Sequence, residues 1–177
     1  MPCNADYCEN CDTWATEPRV VPHTLGPSWQ CDADGRFIRP AHTLGPQIAR
    51  WVKEYIKSPD GTGAFVFSPE QLRLLYWIYA VDDSGRWVYR ELTIQRLKGW
   101  GKDPFAALLA LIEMVGPCRF SRWDEGGNPV GRPEYNAWVQ VMAVSKDQTK
   151  NTMRMFAVLA SEKLKRDYNV VIGKEQM

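Results

Sequence analysis

Apolar positions first recur at helical spacing at Ile48, Trp51, Val52, Tyr55 and Ile56, and "SPDGTG" (58–63) interrupts them. A helix is therefore expected from Gly45 to that break. Ser68 followed by Pro69 supplies an N-cap and a first helical residue for "PEQLRLLYWIYAV", where Leu72, Leu75, Tyr76 and Tyr79 form a second apolar stripe that "DDSG" ends. "RWVYRELTIQRL" (86–97) alternates and is rich in Val, Tyr, Thr and Ile, which predicts a strand. Phe105 to Val115 is an Ala/Leu-rich helix, and "DEGGNPVGRPEY" (124–135) has the composition of a surface loop. "AWVQVMAV" (137–144) is a short apolar run with the profile of a buried parallel strand. A long helical pattern follows over 145–168, with Met153, Phe156, Ala157, Ala160 and Leu164 on one face, and "NVVIG" (169–173) reads as a third strand. Strand, helix, strand, helix, strand predicts an α/β fold with a parallel sheet and flanking helices.

Residues 1–42 show neither period and are expected to be an irregular amino-terminal extension, with the domain proper over 43–177. The string "HTLGP" occurs at 23–27 and again at 42–46, too short and too few times for a structural repeat. A chain of 177 residues suffices for one domain with a real core. Its 22 basic and 21 acidic residues leave a formal charge of +1, so overall balance gives no reason to expect a nucleic-acid or membrane partner, and any such partner must be argued from a site. Neither a bilayer-length apolar run nor a secretory leader is present, which predicts a soluble, cytosolic protein. Of the five cysteines, Cys8 and Cys11 form a C-x-x-C with Cys3, His23 and Cys31 nearby in sequence. A tetrahedral zinc site is chemically open to them, but a single pair in an irregular segment favours free thiols.

The candidate chemistry lies in "RLKGWGKDPF" (96–105), between the predicted strand and helix. A strand ending in a glycine loop that opens a helix aims several backbone N–H groups at one point. Gly99 and Gly101 allow positive φ and close approach, and Lys102 adds a charge for β- and γ-phosphates. The spacing departs twice from G-x-x-x-x-G-K-[ST], with Arg96 at the first glycine and Asp103 at the hydroxyl. A carboxylate at Asp103 can ligate Mg²⁺ as a hard oxygen donor, and without metal it opposes the phosphates. A plain strand-to-helix turn with a solvated lysine also fits these residues.

"FSPEQLRLLYWIYAVDDSGRWVYRELTIQRLKGWGKDPFAALLALIEMVGPCRF", followed by "VGRPEYNAWVQVMAVSKDQTKNT", resembles the ATPase domain of a tailed-phage terminase large subunit, the motor that packages DNA. The resemblance runs from about Thr43 to the end. It implies a P-loop NTPase fold binding ATP and Mg²⁺, with Gln71 contributing to adenine recognition, Lys98 as the basic residue ahead of G-K, and Lys102 as the phosphate lysine. Ser145 to Gln148 resemble the polar segment after the family's next strand. Cofactor-binding residues are thus expected at Gln71, Lys98, Gly99, Gly101, Lys102 and Asp103, with Asp103 also the metal ligand.

Phosphoryl transfer also needs an apolar strand ending in Asp-Glu. Neither "WVQVMAV" nor "NVVIG" leads into one, so no catalytic residue is assigned. The resemblance therefore implies an incomplete P-loop domain, the amino-terminal portion of a motor acting in the host cytoplasm. Such a motor's partners are double-stranded DNA, a small terminase subunit and the portal of the prohead, with no membrane partner. The reading from a different class is a non-catalytic nucleotide-binding or protein-interaction module, with zinc at the amino-terminal cysteines.

Overall fold

The computed structural model describes residues 32–34, 36–144 and 146–173, without the side chains of 146–148. Cys3, Cys8, Cys11, His23 and Cys31, which the zinc reading requires, lie outside the described residues, as do Ser145 and the side chains to Gln148. The elements are α1 (Gly45–Tyr55), α2 (Pro69–Ile78), α3 (Lys102–Val115), β1 (Arg119–Trp123), β2 (Pro129–Arg132), α4 (Lys146–Leu159) and α5 (Glu162–Asp167). Helix α1 packs on α2 and α3 packs on α4. Leu44, Ile48, Val52, Leu75, Leu108, Leu111, Ile112, Leu159 and Leu164 are all fully buried in one core. Phe37 joins it and Trp77 Nε1 donates to the Ile38 carbonyl, so the packed body takes in residues ahead of 43.

The first two helices start where the pattern places them. Ser68 and Gln71 form a reciprocal capping box, with Gln71 N donating to Ser68 Oγ (3.2 Å) and Ser68 N donating to Gln71 Oε1 (3.0 Å). Thr43 joins α1 to α2: its hydroxyl accepts from Gly45 N (3.0 Å) and donates to the Tyr76 carbonyl (2.6 Å). That crossing leaves no space for a side chain at Gly45, where a Cβ would stand 2.5 Å from Tyr76 Cδ1 and 2.9 Å from its Cα. Because one of those atoms is backbone, the helices must part to admit a methyl. Gly45→Ala is expected to destabilise the fold by about 1–3 kcal/mol, read as a lowered denaturant midpoint.

The single helix expected over 145–168 is two. Helix α4 ends at Leu159, and Ser161 caps α5 by accepting from Leu164 N (3.0 Å). Chain pairing causes the break: Lys57 N donates to the Leu159 carbonyl (2.7 Å), Ser161 N donates to the Tyr55 carbonyl (3.3 Å), and Ala160 bridges Ile56. The buried stripe of α4 is consequently Thr152, Phe156 and Leu159, while Ala157, expected inside, is exposed.

Strand expectations fare differently. Over 86–97 there is one bridge, Val81 to Trp87, flanked by two hydrogen bonds, Val88 N to the Ala80 carbonyl (3.0 Å) and Asp82 N to the Arg86 carbonyl (2.8 Å). Residues 137–144 and 170–173 carry no strand, and Asn169 takes a left-handed φ of 52°. The sheet among the described residues is an antiparallel hairpin, β1 with β2, whose turn and second strand lie in the stretch 124–135 expected to be a loop. Its turn residues account for both readings. Asp124 Oδ1 accepts from Gly126 N (2.9 Å) and Asn128 N (2.7 Å), and Gly127 has φ 75°, so loop-like composition here closes a hairpin. Gln47 of α1 holds β2 in place by accepting from Gly131 N (2.7 Å). No described helix is long and apolar enough to cross a membrane.

Candidate nucleotide site

The loop 96–101 is built on two left-handed glycines and a folded-back lysine. Gly99 and Gly101 both have φ 89°, and Gly101 is the N-cap of α3. Non-glycine residues rarely adopt that conformation, so the turn needs glycine at both positions. Lys102 Nζ donates to the carbonyls of Arg96 (3.0 Å) and Leu97 (2.9 Å), turning the start of the loop toward the helix it precedes. Phe105 N is the first of α3 to find a carbonyl, that of Gly101 (3.0 Å), and Pro104 has no N–H. The N–H groups of Gly101, Lys102 and Asp103 thus have no acceptor among the described residues, leaving three donors and the positive end of a 14-residue helix at one place.

Helix α2 clamps this loop through Glu70. Its Oε1 accepts from Arg96 Nε (2.8 Å) and Nη2 (2.5 Å), and its Oε2 accepts from Trp100 Nε1 (2.6 Å). Arg96 is only 11% exposed, so the pair is partly shielded from water. Trp100 also meets the buried Phe105 edge to face, with centroids 5.4 Å apart, which seats the loop on the α3 core face. Removing Glu70 strands a guanidinium and an indole N–H together. Glu70→Ala is expected to cost about 2 kcal/mol of stability and to speed amide exchange across 96–101, both measurable on the purified chain.

Of the residues expected to contact a nucleotide, Lys98, Gly99, Lys102 and Asp103 are exposed and Gly101 is half-buried. Gln71, far from them in sequence, comes to the loop: its Nε2 lies 3.8 Å from where a Gly101 Cβ would be. With Oε1 engaged by the Ser68 N–H, Gln71 offers the loop a donor and not a two-armed amide. The set fits a polyphosphate, with backbone donors, two lysines and open space beside Gly99, where a Cβ would meet nothing within 4 Å. It does not make a metal site by itself: no group of three or more His, Cys, Asp or Glu that could hold a metal occurs among the described residues. Asp103 can be one ligand, with the remaining positions filled by phosphate oxygens and water, as Mg²⁺ commonly arranges.

Glu70 and Trp100 were not assigned these contacts by sequence pattern, and only the S-P-E-Q cap hinted that the start of α2 has polar work to do. A second polar cluster was also missed. Tyr79 donates to Glu113 Oε1 (2.8 Å), and Arg119 donates to Glu113 Oε2 (2.8 Å) and Glu134 Oε2 (3.1 Å). Burial first, and Glu113 second, push the Tyr79 phenol well above its ordinary range. Burial likewise pushes the adjacent Cys118 thiol up to about 11. This cluster ties α2, α3 and β1 together. Since the thiolate is the reactive form, Cys118 should resist alkylation in the folded protein and label readily in denaturant, as peptide mass mapping would show.

A cavity of about 620 Å³ lies on the other side of the 89–96 run, lined by residues including Trp77, Tyr79, Trp87, Tyr89 and Glu113. Its lining includes no lysine, whereas the glycine loop sets two lysines beside the N–H groups that open α3.

The chain is 45% identical to the Gene 13 protein of Mycobacterium phage L5 over 86% of its length, covering 29% of that protein. It is 43% identical to the Gene 13 protein of Mycobacterium phage D29, again over 86% of the chain and 30% of the relative. The chain thus spans under a third of the length of the curated relatives it matches, and these relatives support a bacteriophage origin. No protein-family model and no solved structure matches it.

Proposed function

We propose that this chain is the ATP-binding portion of a phage DNA-packaging motor of the terminase large-subunit type. The observation that carries the reading is the loop itself: left-handed Gly99 and Gly101, Lys102 at the first turn of α3, and helix N–H donors without acceptors, with Gln71 brought alongside. A phosphate chain laid across the start of α3 receives the N–H groups of Gly101, Lys102 and Asp103. Lys102 exchanges two backbone carbonyls for phosphate oxygens, a stronger acceptor for an ammonium group. Lys98 adds charge from the exposed side of the loop, and Gln71 Nε2 donates to the base. The Glu70 clamp keeps Arg96 and Trp100 in place while the lysine moves. Mg²⁺, when bound, offsets the charge of the phosphates and of Asp103. Packaging of double-stranded DNA, with a small subunit and portal as partners, belongs to the longer protein in this reading.

Asp103 gives the test a metal-dependent signature. Its carboxylate lies in the first turn of α3, where it competes with phosphate for the same positive end. Asp103→Ser is expected to tighten ATP binding about tenfold in chelator, roughly the effect of one screened charge, and to change it little in excess Mg²⁺. A fluorescent-nucleotide titration of both proteins with and without chelator measures this. Equal affinities in chelator would remove Asp103 from the phosphate site.

A further inference from the structure

We propose that the cavity behind the 89–96 run is a binding site for a small organic cation, an ammonium group carried on an aromatic body. Its volume of about 620 Å³ lies within the roughly 300–1,000 Å³ typical of small-molecule sites. The indoles of Trp77 and Trp87 and the phenol ring of Tyr89 line it, and the half-buried carboxylate of Glu113 stands among them. Aromatic faces carry negative electrostatic potential, so these walls attract a cation that an aliphatic cavity would exclude. Trp87 already holds one, since the Arg119 guanidinium lies 4.2 Å from its ring centroid.

The charges around the cavity decide the sign of the ligand. Arg96 lines it, but its Nε and Nη2 donate to Glu70 and its Nη1 to the Gln95 carbonyl (2.8 Å), so that guanidinium is already matched. Arg90 and Glu91, both exposed on the run, offset each other. Glu113 is not offset in the same way. Arg119 is shared between Glu113 Oε2 (2.8 Å) and Glu134 Oε2 (3.1 Å), two carboxylates to one guanidinium, which leaves a formal charge of about −1 on the trio. Burial keeps the Tyr79 phenol neutral, so it faces Glu113 Oε1 as a donor and adds no charge. A carboxylate has acceptor capacity for about four hydrogen bonds, so Glu113 can hold both Tyr79 and Arg119 and still receive an ammonium group. Aromatic walls and a negative carboxylate thus select the same ligand. The inference requires nothing of the glycine loop, so it stands or falls separately from nucleotide binding.

The test is isothermal titration of the full chain at neutral pH, without nucleotide, against three probes that share an indole ring: tryptamine, a cation; 3-methylindole, neutral; and indole-3-propionate, an anion. Tryptamine is expected to fill one site per chain and to bind at least about tenfold more tightly than either of the others. Glu113→Gln keeps a carbonyl acceptor for Tyr79 but removes the charge, and should weaken tryptamine about tenfold while leaving 3-methylindole unchanged. Because Glu113 also holds Arg119, two changes at the exposed lining residue Leu92 test the site without touching that network. Leu92→Glu should tighten tryptamine about threefold and Leu92→Arg should weaken it by about as much. Three results would overturn the proposal: no saturable binding of tryptamine, indole-3-propionate binding as tightly as tryptamine, or the two Leu92 variants shifting tryptamine affinity in the same direction.

Discussion

Lys102→Ala is expected to lower the affinity for Mg²⁺·ATP by roughly a hundredfold, near 3 kcal/mol, while barely changing stability. Two separate ledgers lead to that asymmetry. In the free protein Lys102 is exposed and its ammonium donates to two loop carbonyls, Arg96 and Leu97, that water can reach in its absence. Such bonds contribute about 1 kcal/mol or less. In the bound state the same ammonium meets phosphate oxygens beside the α3 N-terminus, and its removal leaves their charge answered by backbone donors alone. Lys98→Ala, at an exposed site outside the helix turn, should cost less, about tenfold. Isothermal titration with each variant, paired with a thermal melt, separates affinity from stability. A Lys102→Ala protein that binds like the wild type would mean the lysine serves only to close the loop.

Phe105→Ala should have the largest effect on stability, a loss of about 3–5 kcal/mol, because the ring is 1% exposed and its deletion leaves a cavity in the α3 face of the core. The loop should suffer with it. Trp100 rests edge to face on Phe105, and the Glu70 clamp holds the other end of that indole, so the aromatic pair links a packed helix to an exposed turn. Phe105→Leu keeps most of the volume but not the ring edge. It should lose under about 2 kcal/mol and still weaken the seat of Trp100, seen as faster exchange at 99–101. Urea unfolding of both variants measures the first effect and amide exchange the second.

How far these features could be read in the sequence depended on how local their causes are. The start of α2 was legible because Ser68, Pro69 and Gln71 make the cap among themselves. The loop was legible for the same reason: two glycines, a lysine and the following helix lie within a few residues. By contrast, the break after α4 is imposed by Tyr55, Ile56 and Lys57 from a distant part of the chain, and no helical period within 145–168 announces it. Glu70 is an acid in the first turn of α2, and only folding delivers Arg96 and Trp100 to it. The hairpin β1–β2 was hidden by its own turn, since Gly126, Gly127 and Asn128 have loop composition and the flanking strands are short and half-buried. Runs 86–97 and 137–144 have strand-like sequences but no ladder among the described residues, because alternation can specify a face while hydrogen bonding requires a neighbour.

The central claim is that the glycine loop at the start of α3 holds a triphosphate. Amide hydrogen exchange of the wild-type chain with and without saturating Mg²⁺·ATP tests it most directly, because it reports where the nucleotide sits as well as whether it binds. The predicted result is slowed exchange concentrated at 98–103, where the N–H groups of Gly101, Lys102 and Asp103 gain acceptors, and its loss in Lys102→Ala. Unchanged exchange across 98–103 at millimolar nucleotide, or protection confined to residues lining the cavity behind 89–96, would contradict it.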